Sequence, residues 1–170
     1  ALGIACCAAC VPLNAAATPA ELEQDLVQTG AKALVIPETA SAAVKDLAHR
    51  LGILLLEYSV EDSAPAGRFR MHGGRATAAA RGGWATASDR AFILRTSGTT
   101  AKPKIVPISH ANVTAWADKS RRLFRLSPAD RCLNLMPLCY GSGLNSSLMA
   151  PLAAGSAVIC LPAFDVENFL

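Results

Sequence analysis

The sequence predicts an α/β fold in which βαβ units build a parallel sheet flanked by helices. Residues 33–36 are a short, continuously apolar run, as in a strand covered on both faces, residues 53–58 read as the next buried strand, and a segment with helical apolar spacing separates them. Alternation of strand and helix at this spacing calls for right-handed crossovers. Composition agrees: 52% of the 170 residues are hydrophobic, 17% charged and 5% aromatic, which fits a globular domain with an Ala-rich core and excludes disordered, collagenous and fibrous chains. The length suits one domain rather than two. A net charge of +3 from 16 basic and 13 acidic residues carries no signature of nucleic-acid or membrane binding.

Residues 1–20 carry no charge, but Pro12, Asn14 and Pro19 interrupt them, so they make a poor membrane span. Neither Met nor a basic residue precedes the apolar run, so it does not read as a signal peptide, and the opening is expected to be an interior cut in a longer protein. The six cysteines, Cys6, Cys7, Cys10, Cys132, Cys139 and Cys160, are expected to be reduced, buried thiols of a cytoplasmic protein. The cluster Cys6-Cys7-x-x-Cys10 lacks the second ligand pair of a zinc site, so no metal site is expected there.

Thr18-Pro19-Ala20-Glu21 has the form of a capping box with Pro at the first helical position; Leu22, Leu26 and Val27 supply an apolar face and Gly30 the stop. The strand at 33–36 follows. A second helix carries Val44, Leu47, Ala48 and Leu51 on one side and stops at Gly52, ahead of the strand at 53–58. Residues 61–90, rich in Gly, Ala and Arg, lose all periodicity and read as a loop, with Arg68, Arg70, Arg75 and Arg81 as solvated charges. Order resumes with a strand at 91–94 and another at 105–108. Ser109 caps a helix carrying Val113, Trp116, Ala117, Ser120, Leu123 and Phe124, with Arg121, Arg122 and Arg125 at the end that favours positive charge. A strand at 132–136, a helix at 144–154 stopped by Gly155, and a strand at 157–161 complete the pattern. Three segments result: a βαβ segment at 1–60, the loop at 61–90, and a third segment at 91–170.

Between the strands at 91–94 and 105–108 lies Thr96-Ser97-Gly98-Thr99-Thr100-Ala101-Lys102-Pro103-Lys104. A glycine turn frees backbone N–H groups, hydroxyls add neutral donors, and the lysines add mobile positive charge, a set that suits a polyanion. It is not a Walker A loop, because no Gly-Lys-Ser/Thr follows Gly98 at the required spacing. A polar hairpin between strands has the same composition, and residue types alone leave both readings open.

The run from Leu94 to Val106, followed by Ser109-His110-x-Asn112, resembles the AMP-binding signature of the adenylate-forming superfamily, which includes acyl-CoA synthetases, luciferases and peptide-synthetase adenylation domains. Met136-Pro137-Leu138 with Gly143-Leu144 and Pro151-Leu152-x-x-Gly155 resembles the next block of that family, and Val11-Pro12-Leu13-Asn14 through Gly30-Ala31-Lys32 its lead-in. The resemblance runs in order along almost the whole chain. It implies part of the large N-terminal domain of an enzyme that activates a small carboxylic acid with ATP and Mg²⁺, giving an acyl-adenylate, and passes the acyl group to coenzyme A or a pantetheinyl carrier. Thr96, Ser97, Gly98, Thr99 and Thr100 would hold the phosphates, and Lys102 and Lys104 would offset charge on the departing pyrophosphate. Residues 91–170 would thus carry the phosphate loop and part of the acyl pocket, with Tyr140 and Gly143 at its gate. Many relatives have His at the gate; here Tyr140 could equally be a core tyrosine ahead of a glycine turn.

Ala101 and Ile105 stand where the family more often has Gly, and Arg95 where it has an aromatic. The family's Tyr-Gly-x-Thr-Glu block, whose Glu holds magnesium, its ribose-binding Asp and the catalytic Lys of its mobile C-terminal domain are not in the sequence. No catalytic residue is therefore assigned within this chain, and His49, His72 and His110 read as structural. The implied partners are the remainder of the N-terminal domain and a C-terminal domain. Two rivals stand beside the acyl-CoA synthetase reading: an adenylation module of a peptide or polyketide assembly line, and a truncated, non-catalytic nucleotide-binding domain.

Overall fold

In the computed structural model, residues 1–61, 63–65, 67–74, 83–96 and 104–161 are described. The chain divides into two compact units, Ala16–Arg81 and a second formed by Ala1–Ala15 together with Gly82–Leu170.

The first unit begins with a helix at Pro19–Thr29, α2 in a numbering that starts with α1 at Leu2–Ala5. The expected capping box forms: the Glu21 N–H donates to Thr18 Oγ1 at 3.3 Å, and Glu21 Oε2 accepts from the Thr18 N–H at 2.8 Å. Gly30 ends the helix in the left-handed region at φ 61°, which costs a glycine nothing. Then come β1 (Ala33–Pro37), α3 (Ala42–Arg50) and β2 (Leu54–Ser59), with β1 and β2 parallel in a register that pairs Ala33 with Leu54 and Pro37 with Tyr58. This is the predicted βαβ crossover. Burial differs from expectation, however. Leu34 and Ile36 are buried while Val35 between them is half-buried and Leu54 is exposed, so the two strands are covered better on one face than on the other. Within the stretch expected as a loop, Arg70–His72 forms β3 and pairs antiparallel with β2.

The second unit is built on a hairpin of β4 (Arg90–Arg95) and β5 (Ile105–Ser109). These strands are antiparallel, which departs from the all-parallel expectation. The nine-residue connection between them holds no helix in its sequence pattern and is too short for a parallel crossover. Cys10 joins the other edge of β4 as a parallel bridge: its N–H donates to Ala91 O and its carbonyl accepts from the Ile93 N–H, both at 2.9 Å. The core gathers Ala5, Cys10, Ala91, Phe92, Leu94, Ile108, Val113 and Leu144. Ser109 caps α4 (His110–Leu123), as the sequence predicts, and the structure shows a reciprocal box with Asn112. After β6 (Arg131–Asn134) the chain winds into a π-helix, Ser142–Met149, then α5 (Ala150–Ala153), and returns as β7 (Ala157–Cys160), parallel to β6.

The helix expected at 144–154 thus starts earlier and is wider for most of its length. Pro151 sits just past the change of coil; it has no N–H to donate, and in a regular α-helix its ring would press on the carbonyl four residues back. The expectation of uniformly buried thiols is also corrected. Only Cys10 is buried; Cys132 and Cys139 are half-buried, and Cys6, Cys7 and Cys160 are exposed because α1 and the short β7 are covered on one side alone.

Candidate functional site: the β4–β5 hairpin end and the groove beside α4

The hairpin carries the polar loop at its open end. Phe92 and Leu94 on β4 and Ile108 on β5 are buried and anchor the strands, while Ile105, Val106 and Pro107 are exposed. The last strand pair is Arg95 with Ile105. One step further the Thr96 N–H donates to Lys104 O at 3.0 Å, and the Lys104 N–H donates to Thr96 Oγ1 at 3.3 Å. These bonds fix the two ends of the loop opposite each other. Both residues are exposed, so a hydroxyl that still has its own hydrogen to donate and a primary ammonium stand at the mouth of the loop. Ser97, Gly98, Thr99, Thr100 and Lys102, the other phosphate-binding candidates, lie outside the described residues, as do Ala101 and Pro103.

The second set of candidates surrounds the start of the π-helix. The Tyr140 N–H donates to Pro137 O at 3.1 Å, and the Tyr140 carbonyl accepts from the Leu144 N–H at 2.9 Å, so its backbone closes the turn that leads into the coil. Its side chain is exposed. Gly143 is buried against the preceding turn: a β-carbon there would stand 2.5 Å from Pro137 O and 2.7 Å from Met136 O. Its role in this geometry is to let the coil approach that turn.

A groove of about 400 Å³ runs alongside, lined by Trp116, Lys119, Ser120, Leu123 and Phe124 from α4 and its end, and by Gly141, Ser142, Asn145 and Ser146 across from it. The sequence puts Trp116, Leu123 and Phe124 on the predicted helix together with Val113 and Ala117. The structure buries the last two and leaves the other three exposed along the groove. Asn145 escaped notice altogether. Its signal was a lone amide, three and four residues beyond Ser142 and Gly141, within an otherwise small and apolar run.

The remaining titratable groups tie the unit together. His110 donates its backbone N–H to Asp89 O at 3.0 Å and places Nε2 2.9 Å from Ala5 O, pinning α1 against α4. The Asp89 carboxyl accepts from the Thr86 N–H and hydroxyl, which hold it below the usual carboxylate range, with His110 adding to the effect. Asp118 is lowered chiefly by its hydrogen bond to Arg121 at 2.6 Å, with Arg122 at 2.8 Å beside it. Asp130 is lowered by the hydroxyl and N–H of Ser127. Burial pushes the Cys10 thiol up. Among the described residues no group of three or more His, Cys, Asp or Glu side chains is placed to hold a metal ion, and no helix is long and apolar enough to cross a membrane.

Residues 4–170 match the model of a family described as AMP-binding enzyme. A Humulus lupulus protein described as "Probable CoA ligase CCL9" is 31% identical over 171 residues, taking in 98% of this chain and 32% of that protein. An oxalate–CoA ligase of Arabidopsis thaliana is 29% identical over 171 residues, covering 92% of this chain and 30% of its own length. Among solved structures, ATP-bound MatB from Rhodopseudomonas palustris superposes with a TM-score of 0.72 at 27% identity, over 95% of this chain and 32% of that one. The chain therefore spans about a third of the length of these relatives. The matched range takes in the hairpin, the turn before the π-helix and the strands on either side, and the chain belongs to the AMP-binding enzyme family.

Proposed function

We propose that this chain supplies the phosphate-binding loop and part of the acyl pocket of an acid–thiol ligase. The ligase activates a small carboxylic acid with ATP and then joins it to coenzyme A. The observation that carries the reading is the β4–β5 hairpin, which fixes Thr96 and Lys104 opposite each other at the ends of a loop of hydroxyls, glycine and lysines. That donor set fits a polyphosphate: hydroxyl and backbone N–H groups hydrogen-bond its oxygens and an ammonium balances its charge.

ATP supplies an electrophilic phosphorus and a leaving pyrophosphate. This chain's residues would bind and orient that group. Thr96 donates its hydroxyl hydrogen while its oxygen is already fixed by the Lys104 N–H, so the donor is aimed before any ligand arrives. Ser97, Gly98, Thr99 and Thr100 would add donors to the same phosphates, and Lys102 and Lys104 would offset the charge that grows on the departing pyrophosphate. Tyr140 and Gly143 shape the mouth of the acyl pocket, with Gly143 allowing the π-helix to sit close to the Met136–Pro137 turn. The carboxylate that holds Mg²⁺ and the lysine of the C-terminal domain belong to segments that this chain's own residues do not supply, and the remainder of the N-terminal domain completes the site. A reducing compartment, the cytoplasm, suits a chain whose six cysteines are all unpaired.

The test is acid-dependent exchange of labelled pyrophosphate into ATP by the whole protein that carries this sequence. Exchange is expected with at least one small acid, and replacing Lys102 and Lys104 together by Ala should lower it at least about tenfold. Exchange that the double substitution leaves untouched would refute the assignment of the loop.

A further inference from the structure

The groove beside α4 has one apolar wall and one polar wall. Trp116, Leu123 and Phe124 form the first, with the Lys119 stem beside them on α4; Ser120, Ser142, Asn145 and Ser146 form the second. The π-helix produces the polar wall. With hydrogen bonds from i to i+5 the coil has more than four residues per turn, so positions 141, 142, 145 and 146 fall on one side. Gly141 leaves room in front of Trp116, since a β-carbon there would come no nearer than 3.7 Å to the indole.

Asn145 is the unusual member. It lines the groove and is only 6% exposed. Its Nδ2 donates to Ser120 Oγ at 3.2 Å, and its Oδ1 is buried with no hydrogen-bond partner among the described residues. A buried amide with one half unused is unfavourable unless something pairs with it. Turning the amide over does not cure the defect: Oδ1 would then accept from the Ser120 hydroxyl and leave the NH₂ unused. Either way one polar half remains for a ligand, and a hydroxyl can satisfy whichever half it is.

We propose that Asn145, positioned by Ser120, is a specificity determinant that selects acids carrying a hydroxyl at the end of the acyl chain over acids ending in a methyl. The proposal rests on the ligase reading above and on the groove being its acyl pocket. Trp116 and Phe124 pack against the methylenes of such an acid, and Asn145 hydrogen-bonds its terminal hydroxyl. A methyl in the same place would leave the amide buried and unpaired, which is the kind of mismatch a site discriminates against most strongly. Asn145 touches the substrate in this scheme. Ser120 acts through Asn145 and is a positioning residue.

The test uses the whole protein that carries this sequence, with acid-dependent pyrophosphate exchange measured on pairs of straight-chain acids. Each pair has equal length and ends in hydroxyl or methyl, and several lengths are tried. The expected result is a kcat/KM ratio of at least about tenfold in favour of the hydroxy acid at the best length. Asn145→Leu should bring that ratio to about one or below by raising activity on the methyl acid as it lowers it on the hydroxy acid. Ser120→Ala, at a half-buried position, should lower the ratio mainly through KM for the hydroxy acid, with kcat little changed. A ratio near one in the unaltered protein, or a ratio that neither substitution moves, overturns the assignment of Asn145 and leaves the ligase reading standing. Absence of exchange with every acid overturns the ligase reading and this inference with it.

Discussion

Gly143 and Gly141 stand two residues apart at the start of the π-helix, and the structure assigns opposite consequences to adding one methyl at each. At Gly143 a β-carbon would lie 2.5 Å from Pro137 O, 2.7 Å from Met136 O and 3.0 Å from Met136 Cβ. Real β-carbons do not come within 3.0 Å of such atoms, so the first contact is short by 0.5 Å and the second by 0.3 Å. Both obstacles are main-chain carbonyls. Pro137 O is further held by the Tyr140 N–H at 3.1 Å, so retreat of the turn breaks the bond that closes it. Overpacking against two main-chain atoms at these distances belongs in the upper part of the usual range, about 2–3 kcal/mol. Alanine recovers up to about 1 kcal/mol of that through its better helix propensity. Gly143→Ala should therefore destabilise the protein by ~1–2 kcal/mol. At Gly141 the added carbon meets Trp116 at 3.7 Å and Leu94 at 3.8 Å, ordinary contact distances, and φ of −58° is already helical. Gly141→Ala should stabilise by ~0.5–1 kcal/mol through loss of freedom in the unfolded chain. Urea denaturation gives both values from the shift in midpoint at constant slope. A Gly143→Ala variant within about 0.5 kcal/mol of the parent, a size typical of an unconstrained surface site, would refute the close approach of coil and turn.

Arg125 closes α4 at φ 54°, a left-handed conformation that a side chain resists, so Arg125→Gly should raise stability by about 1 kcal/mol in the same titration. Asp89, Asp118 and Asp130 all have folded-state pKa values below the ordinary carboxylate value. Their contribution is complete above the unfolded pKa near ~4 and fades as pH falls through the lower folded values, so replacing all three by Asn should flatten the acid limb of the stability curve below about pH 4. A thiol reagent should modify the exposed Cys6, Cys7 and Cys160 well before Cys10, whose burial raises its pKa, with mass spectrometry of timed samples giving the order. Replacing Lys102 and Lys104 together by Ala should weaken ATP binding and reduce its dependence on salt, as titrations at two ionic strengths would show.

Local chemistry made much of this legible. Thr18 with Glu21, and Ser109, announce helix starts because the capping bonds lie within three residues, and Gly30 announces an end because no other residue enters the left-handed region so easily. The hairpin end was legible as a polar loop between strands, since the residues at both its ends are short-range neighbours. The antiparallel sense of β4 and β5 follows from the length of their connection, but alternation of elements elsewhere in the chain argued the other way. What stayed hidden depends on distant partners. The π-helix has the same apolar spacing as an α-helix over two turns, and its width reflects Pro151 and the approach of the 136–137 turn. Trp116, Leu123 and Phe124 share a periodicity with Val113 and Ala117, and periodicity cannot separate a groove wall from a core.

The bonds from Cys10 to β4 and from Ala5 O to His110 have a consequence for how this protein is made. His110 lies 105 residues after Ala5, so this contact cannot form until the intervening stretch has left the ribosome. At roughly 5–20 residues per second the delay is on the order of 5–20 s. Throughout that interval the uncharged run containing Leu2, Ile4, Cys10 and Val11 lacks the contacts with β4 and α4 that it makes in the folded unit. Chaperone capture of the nascent chain should fall away once synthesis passes β5 and α4, and truncated chains ending before β4 should aggregate more readily than chains ending after α4.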